Sequence, residues 1–277
     1  MRFFAAMTVV LGLAAAPGMV SAELVDLELI LAVDVSGSVD DEEAELQRAG
    51  YVAALTDERV LGAIRAGRRG RIAVAYVEWG GDHIQRPVIG WSVIDGPEAA
   101  AEFSKRLAEA PLSVELWTSI SAVMRYAGDL FNLSPHQGKR RVLDISGDGP
   151  NNDGALVTGA RQKMLKAGIT INGLPIINGR PSRYGMAPMP NLDIYYEDCV
   201  IGGFGAFIVV ANTYHDFARA IRRKLILEIA GRMPERRAPE RPPKMILAQT
   251  APPQSVPIPR PMPCDVGEII RDNRESF

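Results

Sequence analysis

The stretch Leu27-Glu28-Leu29-Ile30-Leu31-Ala32-Val33-Asp34-Val35-Ser36-Gly37-Ser38 carries the reading of this chain. Leu27 to Val33 is almost entirely apolar and too short for a globular helix. Such a run fits a strand buried on both faces, which is what a parallel sheet covered by helices requires. The run ends on a carboxylate followed by two hydroxyls. Asp40-Asp41-Glu42-Glu43 then opens a helical pattern reaching about Ala66, and acids in a first turn suit the helix dipole.

The alternation continues outward. Arg71 to Trp79 reads as a second strand. Gly80-Gly81-Asp82 is turn chemistry, and Ile84 to Val93 reads as the hairpin partner. Helices are predicted over Glu98 to Ala108, Thr118 to Leu130, Ala155 to Ala167 (closed by Gly168) and Tyr214 to Ile229. Strands are predicted over Arg141 to Ser146, Ile169 to Ile177 and Phe207 to Ala211. This order argues an α/β, doubly wound (Rossmann-like), mainly parallel sheet with one antiparallel edge strand and helices on both faces.

The two ends differ from this core. Arg2 precedes an apolar stretch from Phe3 to Val20, and Val20-Ser21-Ala22 forms a small-x-small cleavage site. Residues 1–22 therefore read as an export signal, with an uncleaved anchor as the alternative. Residues 23–231 form the folded domain. From 232 to 277 the chain is proline-rich; ten of the 20 prolines fall between Pro234 and Pro263. That density forbids helix and sheet interiors and predicts an extended tail or spacer. Val266 to Phe277 has room for one short helical turn. No later segment is long and apolar enough for a membrane span, so none is expected after signal cleavage. Export implies a periplasmic or secreted protein and an oxidising compartment for Cys199 and Cys264. A bridge between them and two free thiols are equally open readings.

Composition excludes some functions. The 31 basic and 33 acidic residues give a net charge of -2, leaving no global excess to hold a nucleic-acid backbone. Two cysteines and three histidines are too few for a zinc ribbon. Ligands of open α/β sheets bind beyond the carboxyl ends of the strands, at a switch point. Three polar groups fall there: Asp34-Val35-Ser36-Gly37-Ser38, Trp117-Thr118-Ser119 and Gly147-Asp148-Gly149. Each alone reads as an N-cap or a turn. Together they offer two carboxylates and three hydroxyls. An all-oxygen set suits Mg²⁺, Ca²⁺ or Mn²⁺ better than zinc or copper. Neutral hydroxyl ligands leave the cation with positive charge, so an external anion is wanted.

In this order the groups resemble the metal-ion-dependent adhesion site of von Willebrand factor A (vWA) domains, Asp-x-Ser-x-Ser…Thr…Asp. The match falls on Asp34, Ser36, Ser38, Thr118 and Asp148, within a resemblance covering about residues 25–230. More narrowly, Val142 to Asn152 and Asp198-Cys199-Val200-Ile201-Gly202-Gly203 are similar to an uncharacterised group of exported bacterial vWA proteins. The resemblance implies a divalent cation, Mg²⁺ first, and a protein or cell-envelope partner that completes its coordination with a carboxylate. It implies a non-enzymatic binding module. The alternatives are a metal-dependent hydrolase using Asp34 and Asp148, or a scaffold with a structural metal. Against the hydrolase, Ser36 stands where aspartyl-phosphate enzymes carry a second Asp, and Gly-x-Ser-x-Gly is absent.

Several residues have competing roles. Asp144 lies inside a predicted buried strand, so it must be paired, hydrogen-bonded or protonated. A structural carboxylate is favoured over one that orients the metal site. Glu78 and Trp79 either line the site or serve as a strand-end charge and packing. Asn151-Asn152-Asp153 reads as capping and turn chemistry before a second cation site. Asn178 to Asn191 reads as a long surface loop near the ligand edge.

Overall fold

The computed structural model describes residues 22–181, 187–231 and 261–275. The predicted export signal up to residue 21 and the proline-rich stretch 232–260 lie outside these.

Five strands form one sheet: β1 (Glu23–Asp34), β2 (Ile72–Trp79), β3 (Gln85–Ile94), β4 (His136–Gly147) and β5 (Thr170–Pro175). Their order is β3-β2-β1-β4-β5. β3 pairs antiparallel at the edge, and every other pairing is parallel. β1 is buried from Leu27 to Asp34 because it is central and covered on both faces. Side chains alternate along it. Leu27, Leu29, Leu31 and Val33 enter one core, with α1 (Asp41–Leu55), α2 (Glu58–Arg65), α3 (Pro97–Glu109) and α7 (Phe217–Ala230). Ile30 and Ala32 enter the opposite core, with α4 (Ile120–Asn132) and α5 (Val157–Lys166). The short α6 (Leu192–Tyr195) runs into a π-helical turn, Tyr196–Val200, on this second side.

The α/β reading holds, with three local differences. The helical pattern from residue 40 to 66 is two helices. Asp57 accepts from Arg59 N and starts α2 afresh after Thr56. Phe207 to Ala211 is no full strand; it makes isolated bridges, Gly173–Ile208 on β5 and Ile176–Ala211 just beyond it, and Phe207 N donates to Asn172 Oδ1 at 3.1 Å. The C-terminal residues form a ten-residue helix, α8 (Val266–Glu275), in place of one turn. A Cys199–Cys264 disulfide, Cα–Cα 5.4 Å, pins its start to the π-helical turn. Among the described residues no helix is long and apolar enough to cross a membrane.

The chain leaves β1 for β2 and β3 on one side and returns to β4 on the other. β1 and β4 therefore flank the switch point, where the carboxyl ends of neighbouring strands leave a crevice. Asp34 ends β1, and Asp148 follows the last residue of β4.

Candidate metal centre

Beyond the β1–β4 edge the structure gathers the five residues singled out in the sequence. Asp34 Oδ1 accepts from Ser36 N at 2.7 Å, curling the strand end so that the serines turn back over the carboxylate. Ser36 Oγ and Ser38 Oγ lie 3.1 Å apart. Ser38 Oγ donates to Asp148 Oδ1 at 2.5 Å across 110 residues of sequence. Thr118 is buried beside Gly149: a Cβ there would stand 3.8 Å from its Oγ1.

The Thr118 loop is held from two directions. Asn152 Oδ1 accepts from Thr118 N at 2.9 Å, and Asn152 N donates to Thr118 O at 2.8 Å. Asn151 Oδ1 accepts from Ser121 N at 2.9 Å. From the β2–β3 turn, Gly80 O accepts from Ser119 N at 2.7 Å and Gly81 N donates to Leu116 O at 3.0 Å. Asn151 and Asn152 thus serve the start of α4, as their turn-forming character suggested. Trp117, just before Thr118, has φ 64°, the left-handed region that non-glycine residues seldom occupy. Such strain persists only where surrounding bonds over-determine it.

Burial raises the Asp34 carboxyl well above its ordinary range, and the Asp148 charge adds to the rise. Asp148 is raised first by its own burial, while the Ser38 hydrogen bond opposes. Asp34 Oδ2 and the Tyr196 hydroxyl are buried without a hydrogen-bond partner. Two buried carboxylates held together with an unused oxygen form an arrangement that a cation would relieve. The donor set is all oxygen, so it fits a hard divalent cation.

Gly147 explains how close this approach is. A Cβ on it would stand 2.8 Å from Asp34 Oδ2 and 2.9 Å from the Tyr196 hydroxyl. Gly147→Ala is expected to push Asp34 off its position and cost about 1–3 kcal/mol, read as a lower urea midpoint. An unchanged midpoint would mean that Asp34 shifts at no cost.

Three other residues have their side chains elsewhere than at the cation edge. Glu78 is buried in ion pairs with Arg48 and Arg86. Trp79 is fully buried in the core. Asp144 pairs with Lys224 of α7 at 2.5 Å, the structural role favoured for it. Of the expected 178–191 loop, residues 182–186 lie outside the described ones; Pro188, Met189 and Pro190 do reach the ligand edge, where they line a groove above Ser38 and Asp148.

The sheet order and its wrapping helices define a von Willebrand factor A-type fold. Proximal thread matrix protein 1 from the mussel byssus, in a form with a zinc-occupied MIDAS motif (metal-ion-dependent adhesion site), superposes with a TM-score of 0.55 at 14% identity, over 75% of this chain and 48% of that one. A von Willebrand factor type A protein from Catenulispora acidiphila gives 0.52 at 14% identity, over 74% and 43%. The pilus adhesin SpaC from Lactobacillus rhamnosus GG, in its open conformation, gives 0.53 at 12%, over 74% and 30%. This chain therefore spans less than half the length of each. The chain belongs to the family described as "Protein of unknown function (DUF1194)", which matches residues 24–233. No curated protein matches it.

Proposed function

We propose that this chain is an exported, non-enzymatic binding module that grips an acidic group on a protein or other cell-envelope partner through a divalent cation. Asp34, Ser36, Ser38, Thr118 and Asp148 hold the cation, with Mg²⁺ the first candidate and Ca²⁺ or Mn²⁺ the others. One observation carries this: five oxygen-bearing side chains from three separate loops converge on the β1–β4 switch point, with Asp34 Oδ2 buried and unused. The hydroxyl ligands are neutral and, on the vWA pattern, the aspartates act largely through waters, so the cation keeps charge for a partner's carboxylate. The zinc-occupied motif of the mussel protein and the pilus adhesin SpaC support the reading by analogy of fold.

Export rests on the apolar stretch Phe3 to Val20, read as a cleaved signal over residues 1–22, and on the Cys199–Cys264 bridge, which suits an oxidising compartment. The periplasm or the exterior is therefore the proposed location, with 23–231 as the binding domain and 232–277 as its tail, the end of which, α8, docks back on that domain through the Cys199–Cys264 bridge.

The test is calorimetric. Mg²⁺ is expected to raise the melting temperature of the wild type, and Asp34→Ala to abolish the rise. Capture of envelope proteins should need Mg²⁺, fail with chelator, and fail for Asp148→Ala. Partner capture that survives in Asp34→Ala would defeat metal bridging. Hydrolysis of a phosphate or ester probe, lost in either variant, would establish the enzyme reading instead.

A further inference from the structure

Above Ser38 and Asp148 opens a groove of about 620 Å³, within the range of roughly 300–1,000 Å³ typical of ligand clefts. Its walls are apolar. Leu116 and Trp117 come from the strained loop before Thr118, Pro150 from the loop after β4, Met189 from the 178–191 loop and Ile270 from α8. Leu116 is 57% exposed, Trp117 48% and Ile270 37%, high values for large apolar side chains. Arg180 and Arg271 also line the opening.

The α8 wall is built into the domain. The Cys199–Cys264 bridge fixes its start, and Met262 N donates to Asp198 Oδ2 at 2.9 Å. Gly267 lies so close to the loop after β4 that a Cβ on it would stand 1.9 Å from Asn151 O. Glu268 Oε1 accepts from Asn151 Nδ2 at 2.7 Å, and Arg271 Nη1 donates to Asn152 O at 2.8 Å. A helix held at this many points is a preformed surface, and little ordering cost remains for a ligand to meet.

Resting on the metal-site reading above, we propose that this groove binds an acidic peptide segment whose Asp or Glu has a large apolar side chain within two residues of it. The carboxylate meets the cation at the floor, and Arg180 at the opening favours the same sign of charge, while Arg271 is already paired with Asp272 at 2.9 Å and Asp153 at 3.9 Å. The neighbouring apolar side chain lies along Leu116, Trp117 and Ile270. Its burial excludes water from the cation–carboxylate contact, which strengthens that contact. An acidic polysaccharide fits less well, because its hydroxyls would lie against apolar walls without partners.

The experiment pans a displayed library of random heptapeptides on the full chain in Mg²⁺ and elutes with EDTA. Eluted binders are expected to pair Asp or Glu with Trp, Phe, Leu, Ile or Met. A synthetic copy of the strongest should bind Ile270→Ser and Ile270→Asn at least tenfold more weakly than wild type. The Mg²⁺ affinity of both variants, measured by calorimetry without peptide, should stay within twofold. The groove is overturned if a Mg²⁺-binding chain yields no EDTA-eluted binders, yields binders with only polar neighbours, or binds the peptide equally well in both variants. A wild-type chain that takes up none of Mg²⁺, Ca²⁺ and Mn²⁺ overturns the metal reading itself and removes the anchor of the groove with it.

Discussion

Replacing Lys224 with Met is expected to destabilise the domain by about 3–5 kcal/mol, the cost of stranding a buried charge by removing its partner. Lys224 is fully buried on α7. Its Nζ lies 2.5 Å from Asp144 Oδ1 of β4 and 2.5 Å from Glu228 Oε1, one turn along the helix. Glu228 Oε1 also accepts from Asn172 Nδ2 at 2.8 Å. One ammonium thus holds two carboxylates inside the core between α7 and the sheet. Methionine fills a similar volume, so the loss reports charge more than packing. Against a total stability of about 5–15 kcal/mol it is a large fraction.

The same cluster sets a pH dependence. Burial pushes Asp144 up to about 7, the Glu228 charge adds to the rise, and Lys224 opposes it. The unfolded carboxyl has its ordinary value of 3.8. Between 3.8 and about 7 the folded state therefore holds a proton that the unfolded state has released. Stability from this group falls as pH rises through that window and levels off above it. In Lys224→Met the opposing ammonium is gone, so the decline should extend to higher pH and leave the variant weakest above neutrality. The double variant Lys224→Met/Asp144→Asn should recover part of the loss. Urea midpoints from pH 5 to 8 measure this, and a pH-independent, wild-type midpoint in Lys224→Met would refute it.

Asp144 also marks what a sequence does and does not make legible. Its position in a buried strand predicts that it has a partner, and it has one. That partner is 80 positions away, and no local signal connects them, although Lys224 and Glu228 at i, i+4 on one helix show an ion pair on their own. β1 was readable because a central parallel strand writes its burial as an unbroken apolar run. The strand-end residues were readable because the switch point of such a sheet is fixed by topology. The break at Thr56-Asp57 was missed because the apolar pattern runs through it, yet Asp57 is an N-cap type residue. α8 is hard to read because the run of prolines ending at Pro263 directly precedes it. Val266, Ile269 and Ile270 nonetheless have helical spacing, and Gly267 owes its value to a contact with Asn151 that only the folded chain reveals.

Glu78 was read as either a site residue or a plain strand-end charge, and its surroundings lead to the other large effect. It is 2% exposed at the end of β2. Arg48 and Arg86 both donate to it, and Ser113 Oγ donates to Oε2 at 2.9 Å. Arg48 is itself buried and also donates to Leu107 O at 2.8 Å and Ala110 O at 2.9 Å, at the end of α3. Glu78→Ala leaves that guanidinium in the core without its carboxylate, which is expected to cost about 3–5 kcal/mol. Glu78→Gln keeps an acceptor and should cost less. Arg86→Ala should cost under about 1 kcal/mol, because Arg86 is 44% exposed and solvent replaces its ion pair. The effect of Glu78 should also reach the cation edge. Ser113 opens the loop in which Glu115 N donates to Val35 O at 2.8 Å and Leu116 O accepts from Gly81 N at 3.0 Å, and that loop delivers Thr118. Glu78→Ala is therefore expected to reduce the melting-temperature rise produced by Mg²⁺ as well as the urea midpoint. A variant that lowers the midpoint while keeping the full Mg²⁺ response would confine Glu78 to the core and leave Thr118 positioned by Asn152 and the β2–β3 turn alone.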